Sequence, residues 1–140
     1  MVQYWLCVTN EENWKVVKRK LVWGVPEARK ALIDQVKKGD FLAFYVSPKR
    51  LAGAFKVASK PYMDRRKLFP YKGRYGREIY PWRVKIEPVA VPKKPVPFED
   101  LVPKLKFIRK KTAWTAYVRR AMQKIPAEDF DVMVKALEKA

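Results

Sequence analysis

The sequence predicts an α+β fold, a small, curved β-barrel or sheet with helices packed around it. Three observations predict this. The chain has 140 residues, 49% of them hydrophobic, which suits one ordinary domain spanning 1–140 with ample material for a core. Read in order, its apolar patterns run strand, helix, helix, hairpin, long loop, strand, then helices. Those strands are too few for a two-sheet sandwich and suit a short curled sheet covered by helices.

Each element has its own signal. Tyr4 to Thr9 is an aromatic and aliphatic run ending in polar Thr9-Asn10, which predicts a buried first strand. Asn10 can cap a helix from Glu11 to Lys20, with Trp14, Val17 and, a turn later, Leu21 as its apolar stripe. Glu11 and Glu12 at its start and Lys18 to Lys20 at its end suit the helix dipole. Leu21 to Pro26 reads as a break. Glu27 to Lys37 reads as a second helix, with Ala28, Ala31, Leu32 and Val36 inward and Arg29, Lys30 and Lys37 toward solvent; Lys38-Gly39-Asp40 stops it. Phe41 to Ser47 and Leu51 to Ser59 form an antiparallel hairpin around Ser47-Pro48-Lys49-Arg50. Gly53, inside the second of these strands, marks a bulge or the close approach of another group.

Lys60 to Glu78 is a loop, long for a small domain. Ile79 to Val89 resumes as a strand, with Trp82, Val84 and Ile86 alternating against Arg83, Lys85 and Glu87. Val91 to Pro97 is an extended connector, and Phe98 to Leu105 one short helical turn. Ala113 to Met122 and Ala127 to Lys139 read as helices, the last with Phe130, Met133, Val134 and Leu137 on one face and Pro126 at its first turn.

Charge and composition narrow the function. Thirty-two Lys and Arg face 14 Asp and Glu, a net charge of +18. Such an excess repels itself, so it predicts a polyanionic partner, either nucleic acid or an acidic membrane surface. There is no His, which removes His general bases, imidazole ligands and Ser-His-Asp triads. One Cys, Cys7, allows neither an intrachain disulfide nor a Cys-rich zinc site. No apolar run approaches the roughly 20 residues of a membrane span, and Met1-Val2-Gln3-Tyr4-Trp5 lacks signal-peptide features, so a reduced, cytoplasmic location is expected. Scarce Asn and Gln beside abundant Lys, Arg and Glu lean toward a thermophile. The carboxylates are scattered without metal or paired acid–base spacing; no cofactor and no enzymatic activity are expected.

Two constellations stand out. In the loop, Arg65, Arg66, Lys67, Lys72, Arg74 and Arg77 alternate with Tyr62, Phe69, Tyr71 and Tyr75. Cations for phosphates and rings for base faces are what an unpaired nucleotide needs, so Arg65, Arg66, Lys72, Arg74 and Arg77 are the phosphate-binding candidates. A solvated loop anchored by its rings is the structural alternative. The basic run Lys104 to Lys111, with Arg119-Arg120 beyond, is as well explained by a solvated helix face. The second constellation is Trp23-Gly24-Val25, a Trp beside a Gly in a break. It predicts a ring lining a cavity, with the missing side chain admitting a flat ligand; the alternative is a Trp closing the end of a barrel.

The order and spacing of these pieces resemble the EVE domain, of the PUA-like superfamily that includes YTH and ASCH domains. The resemblance is carried by Tyr4-Trp5-Leu6, Trp23-Gly24-Val25, Lys38-Gly39-Asp40 before Phe44-Tyr45-Val46-Ser47, Leu51-Ala52-Gly53 and Tyr80-Pro81-Trp82-Arg83-Val84. It implies a PUA-like barrel with a nucleobase pocket at one end that takes a single modified, extruded base from RNA or DNA. The cage tryptophan of YTH domains falls on Trp23, the polar end of the first strand on Thr9 and Asn10, and the end of the hairpin's first strand on Ser47. With Gly24 and Val25 beside it, the second wall falls to Tyr62, Met63 or Phe69. The chain departs from the pattern at Val8-Thr9-Asn10-Glu11, where many EVE domains carry a Ser-Glu-Pro type sequence, and at Gly24, where YTH domains follow the Trp with Cys-Ser. Other readings are an RNA-binding PUA-type domain without modified-base selectivity, an ASCH-like enzyme acting on nucleosides, and a scaffold for an acidic protein.

Overall fold

In this computed structural model, which describes residues 1–70 and 79–140, the chain enters on β1 (Tyr4–Thr9). Asn10 caps α1 (Glu11–Lys20), its Oδ1 accepting from the backbone N–H of Asn13 at 2.9 Å. That satisfies one of the donors every helix start leaves open. Leu21 ends the helix at φ 56, and β2 (Val22–Val25) follows. A 3-10 turn, Glu27–Arg29, leads into α2 (Lys30–Ile33). The hairpin is β3 (Phe41–Val46) and β4 (Arg50–Val57). After it come β5 (Tyr62–Met63), β6 (Trp82–Ala90) and β7 (Val96–Pro97). Two 3-10 segments, Phe98–Lys104 and Lys111–Val118, precede β8 (Met122–Lys124) and α3 (Ala127–Lys139).

The strands form one curled, half-barrel sheet in the order β2-β6-β4-β3-β1-β8, with β5 on β6 and β7 on β4. β1 and β3 run parallel, Tyr4 opposite Phe41 through Thr9 opposite Val46, and the other pairs are antiparallel. Both faces are covered. Trp5, Cys7 and Phe44 face a core with Trp14 and Val17 of α1 and with Trp23. Leu6, Ala43 and Tyr45, the alternate positions, face Phe98, Trp114 and the Phe130, Met133 and Leu137 face of α3. Burial on two sides explains why β1 and β3 read as nearly unbroken apolar runs rather than as alternation.

The structure corrects the sequence reading in four places. Leu21 to Pro26 is not a break, because Val22 to Val25 pair with Lys85 to Trp82 of β6, a partner far along the chain. The second helix shrinks to a 3-10 turn and Lys30–Ile33. Its start has no side-chain cap, and Ala28 and Ala31 are exposed, so little burial sustains it. Ala113 to Met122 is not a helix: a 3-10 segment ends at Val118, and Met122 and Gln123 pair with Cys7 and Leu6 of β1. Arg83 does not face solvent but is buried, at 2% exposure. Gly53 fulfils both of its expectations. The pairing skips from Phe44–Gly53 to Tyr45–Leu51, a bulge, and a Cβ there would lie 2.8 Å from Cη2 of Trp14.

Candidate functional site

Parallel pairing makes β1 and β3 end side by side. The Ser47 N–H donates to the Thr9 carbonyl at 3.0 Å, so Thr9, Asn10 and Ser47 cluster at one end of the sheet. β2 brings Trp23, Gly24 and Val25 to the same place, and these six line a pocket of about 480 Å³. Asn13 of α1, Tyr80, Arg29 and Arg119 complete much of the lining.

Trp23 is at once core and wall. It is 4% exposed and meets Phe44 edge-on, ring centroids 5.2 Å apart at 79°. Its Nε1–H is shielded and has no hydrogen-bond partner among the described residues. A buried unpaired donor is costly, and a Phe could make the same edge contact without one, so packing alone does not explain an indole here. Asn10 has its Oδ1 engaged in the α1 cap, which leaves its amide N–H₂ as the group for a ligand. Gly24 is used differently from the sequence reading. A Cβ there would lie 2.8 Å from Phe69 Cε2 and 3.0 Å from the Tyr80 carbonyl oxygen, so the missing side chain admits the chain's own residues rather than a ligand.

The three candidates for a second wall are not in this pocket. Phe69 is buried behind it, against Tyr80 at 5.6 Å between ring centroids and beside the Arg83 guanidinium at 5.7 Å. Tyr62 lies on β5 opposite Arg83 and lines a separate cavity of about 450 Å³ with Asp64, Arg66 and Lys67. Met63, opposite Trp82, is exposed. Tyr80, at φ 58, supplies the lining from that side of the chain.

Of the phosphate-binding candidates, Arg65 is exposed and Arg66 is engaged with Asp64, Nη2 to Oδ2 at 2.7 Å. Lys72, Arg74 and Arg77 fall in 71–78, outside the described residues. Hydrogen bonds from Arg66 hold the Asp64 carboxyl far below the usual carboxylate range. Arg83 donates from Nε to the Tyr80 carbonyl at 3.0 Å and from Nη2 to the Arg66 carbonyl at 2.5 Å, and its Nη1 lies 3.5 Å from Asp64; burial lowers its pKa. This clasp fixes the 64–69 segment and Tyr80 behind the pocket.

Sequence reasoning passes over several lining residues. Asn13, a buried polar residue three positions after the cap, offers a signal: it sits next to Trp14 on a stripe that should be apolar. Arg119 stands out in the sequence only as part of a basic run. It reaches the pocket because the chain returns along β1, where the Val8 N–H donates to the Ala121 carbonyl at 3.0 Å, a pairing no local pattern reveals. The described lining holds no carboxylate, and burial pushes the Cys7 thiol up, away from reactivity. Among the described residues no cluster of His, Cys, Asp or Glu could hold a metal, and no helix is long and apolar enough to cross a membrane. A ring, polar strand ends and cations at the mouth suit a flat heteroaromatic group attached to an anion.

Comparison with known proteins agrees with this architecture. The family model described as EVE domain matches residues 3–136. A UPF0310 protein of Pyrococcus abyssi is 42% identical, covering 97% of this chain and 100% of its own length. A UPF0310 protein of Saccharolobus solfataricus is 28% identical, covering 98% and 96%. Among solved structures, the YTH domain of Zygosaccharomyces rouxii MRB1 in complex with N6-methyladenosine RNA aligns at TM-score 0.67 and 18% identity, over 96% of this chain and 85% of that one. Human THYN1 protein in complex with 5-methylcytosine-containing DNA aligns at TM-score 0.63 and 20% identity, over 99% of both chains. These likenesses show a shared fold.

Proposed function

The chain belongs to the EVE domain family, and from that premise we propose that it is a nucleic-acid-binding module whose pocket takes a single modified, extruded base. The observation that carries the proposal is the convergence of Trp23, with its indole unexplained by packing, on the polar strand ends Thr9, Asn10 and Ser47. Two proteins of the same fold were solved with nucleic acid carrying a methylated base, which supports the reading. So does the charge of +18, which supplies the attraction to phosphates that a base pocket lacks.

Magnitudes set the expected selectivity. Stacking one base on an aromatic side chain contributes on the order of 1–3 kcal/mol, and a methyl-sized group adds roughly 1–3 kcal/mol at best. The test is a titration panel of single-stranded RNA and DNA oligonucleotides, identical except for one central base, unmodified or carrying N6-methyladenine or 5-methylcytosine. One modified oligonucleotide should bind about 10- to 100-fold tighter than its unmodified twin. Equal affinity throughout would reduce the module to a PUA-type binder without base selectivity. No binding at low salt would overturn the nucleic-acid reading altogether.

A further inference from the structure

A groove of about 710 Å³ continues from the pocket, between the 28–35 segment and residues 119–124. The two spaces share Ala28, Arg29, Arg119 and Ala121, so whatever leaves the pocket past Arg29 and Arg119 enters the groove. Small residues, Ala28, Ala31 and Ala121, line it together with Leu32 and the buried Trp5 and Met122. On its far side stand Arg120 and Lys124, and its described lining, like that of the pocket, holds no acidic residue. Gln35 and Gln123 also line it. Each has its amide nitrogen engaged on a backbone carbonyl, Gln35 on Ala31 at 3.3 Å and Gln123 on Tyr117 at 2.5 Å, which leaves an amide oxygen as acceptor.

We propose that this groove is a second nucleotide subsite that seats the nucleotide next to the extruded base. The inference rests on the reading of the pocket given above. An extruded base is tied to its neighbours through phosphates, and the phosphate at the pocket mouth meets the two arginines common to both spaces. Beyond them, small and apolar lining residues suit a base or ribose, fixed amide oxygens suit a donor edge, and two further cations suit the next phosphate. The unit of recognition is therefore a dinucleotide or longer, and the neighbouring nucleotide contributes affinity of its own.

The test compares free N6-methyladenosine and 5-methylcytidine with the corresponding dinucleotides, carrying the neighbour on the 5′ or the 3′ side. Two groove variants outside the pocket lining are used, Arg120→Ala with Lys124→Ala, and Ala31→Trp, which places a bulky ring in the groove. All three positions are exposed, and thermal melts check folding. In the unmodified protein one dinucleotide should bind at least about tenfold tighter than its nucleoside, consistent with one added base stacked or one phosphate paired. Both variants should erase most of that gain. On longer single strands the double alanine variant should also make the salt slope shallower by about 0.7 for each phosphate no longer neutralised. A gain that survives both variants overturns the subsite. Equal binding of an acidic peptide such as oligo-glutamate, abolished in the same variants, overturns it in favour of a protein partner. If nucleosides bind and the groove variants change nothing, the pocket stands and the groove falls. If nucleosides do not bind but dinucleotide binding still depends on the groove, the pocket reading falls instead.

Discussion

Gly24 and Asp40 are two residues whose sequence context suggests less than they do. A side chain at Gly24 would strike Phe69 and the Tyr80 carbonyl, so Gly24→Ala should overpack the site and cost roughly 1–3 kcal/mol, read as a lowered midpoint in denaturant. The effect could not be read locally, because Phe69 lies far along the chain. Asp40, at 1% exposure, reads in sequence as a helix stop. It accepts from the Gln3 backbone and side chain, each at 3.0 Å, from the Lys37 N–H at 2.9 Å and from the Trp5 indole at 3.3 Å. Asp40→Ala strands the buried Trp5 donor, for which alone the expected loss is about 1–3 kcal/mol, checked by the same denaturation. Asn10, by contrast, was legible as a cap from its place before Glu11 and Glu12, since capping is a local matter.

At the scale of elements, strands with their own apolar runs were legible and strands made by a distant partner were not. β1 and β3 are rich in aromatic and β-branched residues, and β4 is eight residues long and mostly apolar. β2 contains a Gly and ends at a Pro, and β8 is three residues, Met-Gln-Lys; each exists because β6 or β1 pairs with it. Those two strands carry Trp23 to the pocket and set Arg119 at its mouth, so half of the site was visible as residues but not as a place. The clasp between β5, β6 and the 64–69 segment has a pH signature. Arg66 and Arg83 favour the ionised Asp64, whose pKa in the fold is lowered. Its contribution is therefore complete above the ordinary aspartate range and is lost as pH falls through the lowered value. Following the Asp64 carboxyl by NMR from about pH 6 downward should show a midpoint well below the ordinary aspartate value of about 4, with the signals of Tyr80 and Phe69 shifting together with it. Titration at that ordinary midpoint would show that the clasp does not hold the group.

At the scale of the molecule, the positive charge and the absence of His set the solution behaviour. If about five phosphates are neutralised, log K should fall against log salt with a slope of roughly −3.5 on single strands. With no imidazole anywhere in the chain, the protein has no ordinary side chain that changes charge between about pH 6 and 8, so binding measured across that range should be flat. These terms were fully legible in composition, since they need no fold. The base-dependent term is separate and resides in few groups. The most direct test of that separation is Trp23→Phe, measured for folding stability and for affinity toward modified and unmodified oligonucleotides at several salt concentrations. Phe retains a ring against Phe44 and removes the unpaired N–H, so stability should stay within about 1 kcal/mol of the parent protein and the salt slope should not move. The preference for the modified base should fall about fivefold, because the smaller phenyl ring leaves the modifying group without the surface the indole gives it, the low end of what one methyl-sized contact contributes. An unchanged preference, whatever happens to stability, would contradict the assignment of Trp23 as the wall against which the base lies.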